Sequence, residues 1–129
     1  GTSNGISFDK CNNMFYSDTS RKTIYRKVND ETEIVNKYED VGPDGSTIDS
    51  SNNYYSCLWG GSRIDIYNNG KYFDKINLNC KKPTCCCFGS QDMNKLFITS
   101  AYESDLDNGS PQVISTNFIG IKEPVINFK

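Results

Sequence analysis

The sequence predicts an all-β protein, a β-propeller of about three four-stranded blades. Short runs rich in aromatic and β-branched residues alternate with clusters of Asn, Asp, Gly and Ser along the chain. No stretch carries a sustained helical period. The runs also recur. Asn4-Gly5-Ile6-Ser7-Phe8, Pro43-Asp44-Gly45-Ser46 and Pro83-Thr84-Cys85-Cys86 share one phase, which sets Asn4, Asp44 and Thr84 forty residues apart. Such a period, built of short strands, is that of propeller blades. The rival architecture, a β-sandwich, carries no repeat of this kind.

The first repeat, 4–40, predicts strands at Ile6–Asp9, Met14–Thr19, Thr23–Val28 and Thr32–Tyr38. Each alternates apolar and polar residues, and turn formers separate them. The second, 43–80, predicts Ser46–Asp49, Asn53–Trp59, Arg63–Tyr67 and Tyr72–Leu78. Asn68-Asn69-Gly70 is a hairpin signal because Asn and Gly tolerate positive φ. The third, 83–129, starts at Thr84 and continues with Lys95–Tyr102, a polar loop from Glu103, and Gln112–Phe118. It lacks a convincing outer strand, and Ile119–Lys129 reads as a tail.

The 129 residues suffice for one domain with a real core. The net charge of −2 is scattered, which argues against a nucleic-acid groove or a polybasic membrane patch. No apolar run is long enough to span a bilayer. The chain opens without a secretory signal, as though in mid-fold. Histidine is absent, which removes Ser-His-Asp and Cys-His catalysis and imidazole-ligated zinc. The six cysteines include the run Cys85-Cys86-Cys87 but no CxxC pair. On a strand Cys85 and Cys87 point one way and Cys86 the other. We expect reduced thiols buried as small core residues, hence a cytoplasmic protein, with a zinc or redox site as the lesser alternative. The sequon Asn108-Gly109-Ser110 decides nothing by itself.

Residues at one phase of a propeller repeat ring the central channel, so Asn4 and Asp44 are expected at one mouth with Thr84 near them. An Asp before Gly is by itself most often a turn former. The shared phase with Asn4 is what singles Asp44 out. Asp18 ends the strand antiparallel to the one beginning at Gly5, which makes it a candidate supporting carboxylate at the same mouth. Trp59 and the tyrosines are expected between blades. Gly60-Gly61 is a turn rather than a phosphate loop, since no helix follows it.

Asn4-Gly5-Ile6-Ser7-Phe8 followed by Tyr16-Ser17-Asp18-Thr19 resembles the NG…SD segment of the senescence-marker/regucalcin/gluconolactonase family. Pro43-Asp44-Gly45…Asp49 with Gly60-Gly61-Ser62-Arg63 is similar to its PDG…D…GGR segment. Pro83-Thr84-Cys85-Cys86-Cys87-Phe88-Gly89 with Leu96–Ala101 resembles its PT-x-C-C-F-G…L-Y-V-T-S-A segment, and Ile119-Gly120-Ile121-Lys122 its closing G-x-G-V-K-G.

The resemblance implies a six-bladed propeller holding one divalent cation (calcium, zinc, magnesium or manganese). It implies Asn4 and Asp44 as two protein ligands, and Asp44 as the acid/base residue of a sugar-lactone hydrolase. Six blades need about twice this length. The chain therefore resembles the C-terminal half, and the family's ligating Glu and substrate-contacting Arg and Asn have no counterpart in it. A non-catalytic calcium-binding regulatory protein and an inactive fragment are the alternatives. Half a ring leaves blade flanks uncovered, so self-association is expected.

Overall fold

The computed structural model describes residues 1–107 and 109–122. Eleven strands form three antiparallel sheets. The first sheet is β1 (Ser3–Phe8), β2 (Met14–Asp18), β3 (Thr23–Val28) and β4 (Glu31–Lys37), hydrogen-bonded in chain order. The second is β5 (Gly42–Ile48), β6 (Asn53–Trp59), β7 (Arg63–Asn68) and β8 (Lys71–Asn77), in the same order. The third has three strands, β9 (Pro83–Gly89), β10 (Lys95–Ser100) and β11 (Gln112–Ser115). The described residues supply no outer strand to it. Each sheet is one blade, and β1, β5 and β9 are the inner strands, with β5 between the other two.

The strand bounds shift from expectation for local reasons. The outer strands β4 and β8 begin one residue early because their hairpins close with two residues. Those are Asn29-Asp30 and Asn69-Gly70, with positive φ at Asn29, Asn69 and Gly70. The inner strands β1 and β5 begin three and four residues early, because Gly5 and Pro43-Asp44-Gly45 lie inside strands instead of before them, and β9 begins one early at Pro83. Strand β10 stops at Ser100 and β11 at Ser115, so Ala101, Tyr102 and Thr116 to Phe118 fall outside the ladder. The sequon residue Asn108 and the tail beyond Lys122 lie outside the described residues.

Two apolar layers glue the blades. Phe15 and Ile24 of the first blade pack on Ile48, Tyr54 and Tyr67 of the second. Tyr55, Cys57, Ile64 and Ile66 of the second pack on Cys86, Phe88, Leu96 and Ile98 of the third. The rings meet as pairs, Phe15 stacked on Tyr54 at 4.7 Å and Tyr55 edge-on to Phe88 at 5.2 Å. Polar groups at the first layer are paired as well. Tyr38 Oη lies 2.5 Å from Tyr67 Oη and donates to Asp65 Oδ2 at 3.0 Å, while Arg63 Nε donates to Asp65 Oδ1 at 2.8 Å.

The cysteines divide. Cys57, Cys80 and Cys86 are buried, but Cys11, Cys85 and Cys87 are exposed, so the expectation of six buried thiols holds for three. Cys85 and Cys87 share one face of β9 and Cys86 the other, as strand alternation requires. Trp59 also departs from expectation. Its ring is exposed at the end of β6, with Lys82 Nζ 5.5 Å from its centroid. Tyr54, Tyr55 and Tyr67 are fully buried between blades.

Candidate functional site

Each inner strand carries a bulge at the repeat phase. In β1, Asn4 pairs with Ser17 and Ser7 with Phe15, so Gly5 and Ile6 oppose one residue. In β5, Pro43 pairs with Leu58 and Ser46 with Ser56, so Asp44 and Gly45 oppose Cys57 alone. In β9, Thr84 is the extra residue between the Pro83 and Cys85 pairs. A bulge frees backbone from the ladder and re-aims its side chains. Here three stand on neighbouring strands, at the repeat phase that carries Asn4, Asp44 and Thr84.

The bulges interlock. Gly5 sits at φ 57°, and a side chain there would meet the Asp44 carbonyl oxygen at 2.4 Å. A Cβ on Gly45 would meet Thr84 O at 2.6 Å and Cys85 Cα at 2.7 Å. Ser17 Oγ donates to Asp44 O at 3.1 Å, and Ser46 Oγ donates to Gly5 O at 2.5 Å. Below them β1, β5 and β9 line a concavity of about 440 Å³ that includes Ser7, Ser46, Thr47, Cys85 and Lys122.

Thr19 fixes the Asn4 amide. Its hydroxyl donates to Pro43 O at 2.7 Å, so its lone pair must accept, and it accepts from Asn4 Nδ2 at 2.8 Å. This orients Nδ2 toward Thr19 and leaves Oδ1 on the other side without a hydrogen-bond partner among the described residues. Sequence reasoning missed Thr19. Forty residues on, the second repeat has Trp59, so the phase that singles out Asn4 and Asp44 does not run unbroken through this position.

Asp44 is half-buried, and desolvation raises its pKa above the ordinary carboxylate value, against the opposing hydrogen bond from the Gly45 N–H. The thiols nearest it are poor nucleophiles. A hydrogen bond with Cys86 and burial push Cys57 far up, and burial pushes Cys85 up. Asp18 is committed elsewhere. Its Oδ1 accepts the N–H groups of Thr2 and Arg21 at 3.0 Å each, and Arg21 Nε lies 3.6 Å from Oδ2. Desolvation opposes it, but the N–H groups of Arg21 and Thr2 hold its carboxyl below the usual range. Among the described residues Asp18 has no hydrogen bond to Asn4 or Asp44.

The sequence pattern of the SMP-30/Gluconolactonase/LRE-like region matches residues 1–102. The chain belongs to this family. Among its relatives in the family, pentonolactonase XacC of Haloferax volcanii is 30% identical over 78% of this chain and 38% of its own length. The 6-deoxy-6-sulfogluconolactonase of Pseudomonas putida is 31% identical over 79% of this chain and 39% of its own length. Regucalcin of Danio rerio is 36% identical over 65% of this chain and 26% of its own length. The fold is that of the family's propellers. A calcium-binding regucalcin from Agrobacterium tumefaciens superposes with a TM-score of 0.86 at 22% identity, covering 98% of this chain and 50% of that one. A luciferin-regenerating enzyme gives 0.83 at 19% identity, over 94% of this chain and 47% of its own. The chain thus spans about 40% of the length of these lactonase relatives and half a solved propeller.

The raised pKa of Asp44 has a sign that can be tested. The folded chain holds this proton more tightly than the unfolded chain, so ionising Asp44 costs stability as pH rises through the raised value. Without added cation, Asp44→Asn is expected to melt above wild type, by a margin that grows as pH rises from the ordinary Asp value through the raised one. Thermal melts across that range check it. A margin that shrinks with pH refutes the desolvated carboxylate.

Proposed function

We propose that this chain provides the cation-binding and acid/base part of a metal-dependent lactonase acting on a sugar lactone. The observation that carries the proposal is the presence, at neighbouring interlocked bulges, of an uncommitted Asn4 Oδ1 and a desolvated Asp44 carboxyl. Two oxygen donors beside a concavity suit a hard divalent cation such as calcium, magnesium or manganese, and zinc accepts them too. Among the described residues no group of three or more Cys, Asp or Glu converges, so the remaining ligands would be water or groups beyond this chain.

Asn4 Oδ1 and Asp44 would hold the cation, which when bound polarises a lactone carbonyl and acidifies water. Asp44 does the proton work. Its carboxylate takes a proton from the water whose oxygen bonds to the carbonyl carbon. The ester C–O bond then breaks, and the same carboxyl returns the proton to the departing ring oxygen, giving a hydroxy acid. The lactonase names of the relatives support this reaction class. The proposal places the protein in the cytoplasm, where exposed thiols such as Cys11, Cys85 and Cys87 stay reduced.

A second reading is a non-catalytic calcium-binding protein, favoured by the calcium-binding regucalcin among the structural neighbours. Calorimetric titration with calcium, zinc, magnesium and manganese, paired with an aldonolactone hydrolysis assay, separates the two. Binding with cation-dependent turnover is expected. Binding without turnover moves the assignment to the second reading, and absence of both overturns the cation site. Asn4→Ala is expected to weaken cation binding by about tenfold, less than any change at Asp44, because it removes a neutral ligand.

A further inference from the structure

One hydroxyl joins two blades beside the candidate ligands. Thr19 follows β2 in the first blade, and Gly42 and Pro43 open β5 in the second. The Thr19 hydroxyl has a single proton, and the Pro43 carbonyl, which can only accept, takes it at 2.7 Å. What it offers Asn4 is a lone pair, which receives Nδ2 at 2.8 Å. The Pro43 carbonyl thus dictates, through this hydroxyl, that the oxygen end of the Asn4 amide faces away from Thr19. An amide without such a partner presents its oxygen and its NH2 with similar ease, and an NH2 group repels a cation. The other hydroxyls at these two bulges hold backbone. Ser17 bonds Asp44 O and Ser46 bonds Gly5 O.

The hydroxyl is itself held in place. Thr19 N donates to Thr2 O at 2.9 Å, and Lys22 N donates to Thr19 O at 3.1 Å, which fixes the backbone on both sides. A Cβ on Gly42 would lie 2.9 Å from Thr19 Cγ2, so the methyl is seated against that glycine. A β-branched side chain is stiff at χ1, and a seated methyl keeps the hydroxyl aimed at Asn4. Gly42 lies outside the positive-φ region, so its backbone does not require glycine and the methyl does.

We infer that Thr19 is a positioning residue for the cation, acting through Asn4, and that Gly42 is the space its methyl needs. The inference rests on the cation reading of Asn4 and Asp44. Thr19 touches neither the cation nor the substrate in that reading. It orders the Asn4 amide before the cation arrives, and without it the cation must impose that order itself, at a loss of affinity.

Calorimetric titration of the chain with calcium, magnesium, manganese and zinc tests it. Thr19→Val keeps the shape, removes the acceptor, and is expected to weaken binding of the tightest cation by about tenfold. Thr19→Ser keeps the hydroxyl and should restore most of that affinity. In an Asn4→Ala chain, Thr19→Val should cost little more, because the side chain it orients is gone. A threonine that served the fold alone would cost the same in both chains. Gly42→Ala is a second route that leaves Thr19 in place. Its methyl must displace Thr19 Cγ2, so it should weaken binding in the wild-type chain but not in the Thr19→Ser chain, which has no Cγ2. This pair carries the test if Thr19→Val fails to fold, which circular dichroism checks. A wild-type chain that binds none of the four cations removes the cation reading and this inference with it. Three results overturn the inference alone: wild-type affinity in Thr19→Val, its full loss repeated in the Asn4→Ala chain, or equal effects of Gly42→Ala on the threonine and serine chains.

Discussion

Asp44→Asn is expected to lower cation-dependent lactone hydrolysis by about a thousandfold or more, with cation affinity falling by at least about a hundredfold. The substitution keeps the shape of the side chain but removes its charge and its ability to carry a proton. Asp44 is the one carboxylate on the three interlocked bulges, so the described residues hold no substitute. The neighbouring thiols cannot take over, because Cys57 and Cys85 are both pushed away from the thiolate form. The fold should persist, since Asp44 O, which Ser17 holds, is backbone and unchanged by the substitution. The measurement is turnover at saturating cation beside a cation titration of the same preparation. Turnover within tenfold of wild type at saturating cation would remove Asp44 from the proton-transfer role. Unchanged cation affinity would remove it from the ligand set.

The parts of this architecture that could be read from the sequence are those that repeat. Asp9 and Asp49 are forty residues apart, and so are Asn13 and Asn53. Each Asp–Asn pair closes the same turn by the same hydrogen bonds. Such local chemistry marks the first two blades, while the third has Gly89 and Met93 at these positions and was counted from the phase of Thr84 with Asn4 and Asp44. The bulges were legible as positions but not as geometry. Pro43-Asp44-Gly45 has the composition of a turn, and only the pairing of Pro43 with Leu58 reveals that the strand passes through it. Thr19 was illegible because its bonds to Asn4 and Pro43 join different blades. The exposure of Cys85 and Cys87 was illegible for a related reason. Burial on a blade flank depends on whether another blade covers it, and no local pattern states that.

Asp49→Ala is expected to cost about 3 kcal/mol or more of folding stability, a fall of about 10–15 °C in Tm. Asp49 is fully buried at the end of β5 and gathers four donors. Its Oδ1 accepts the N–H groups of Ser51 at 2.8 Å and Asn53 at 2.9 Å, and its Oδ2 accepts Asn53 Nδ2 at 2.7 Å and Tyr55 Oη at 2.8 Å. Alanine leaves three of these donors, the Asn53 N–H and Nδ2 and the Tyr55 hydroxyl, buried without an acceptor, and that loss exceeds the ordinary worth of a hydrogen bond. The effect should spread, because Tyr55 carries the second apolar layer through its edge contact with Phe88. Asp9→Ala provides the control. Asp9 closes the same turn in the first blade with three donors at 2.9 Å, but Phe15 stands where Tyr55 would be, so no buried hydroxyl loses its partner, and Arg26, whose Nη2 lies 3.7 Å from Asp9 Oδ2, keeps Glu33 Oε1 at 3.4 Å. Its cost should be about half as large. Urea unfolding of both variants checks the comparison. An Asp49→Ala loss within about 1 kcal/mol of wild type, or one no larger than that of Asp9→Ala, would mean that the Tyr55 bond does not tie this turn to the blade interface.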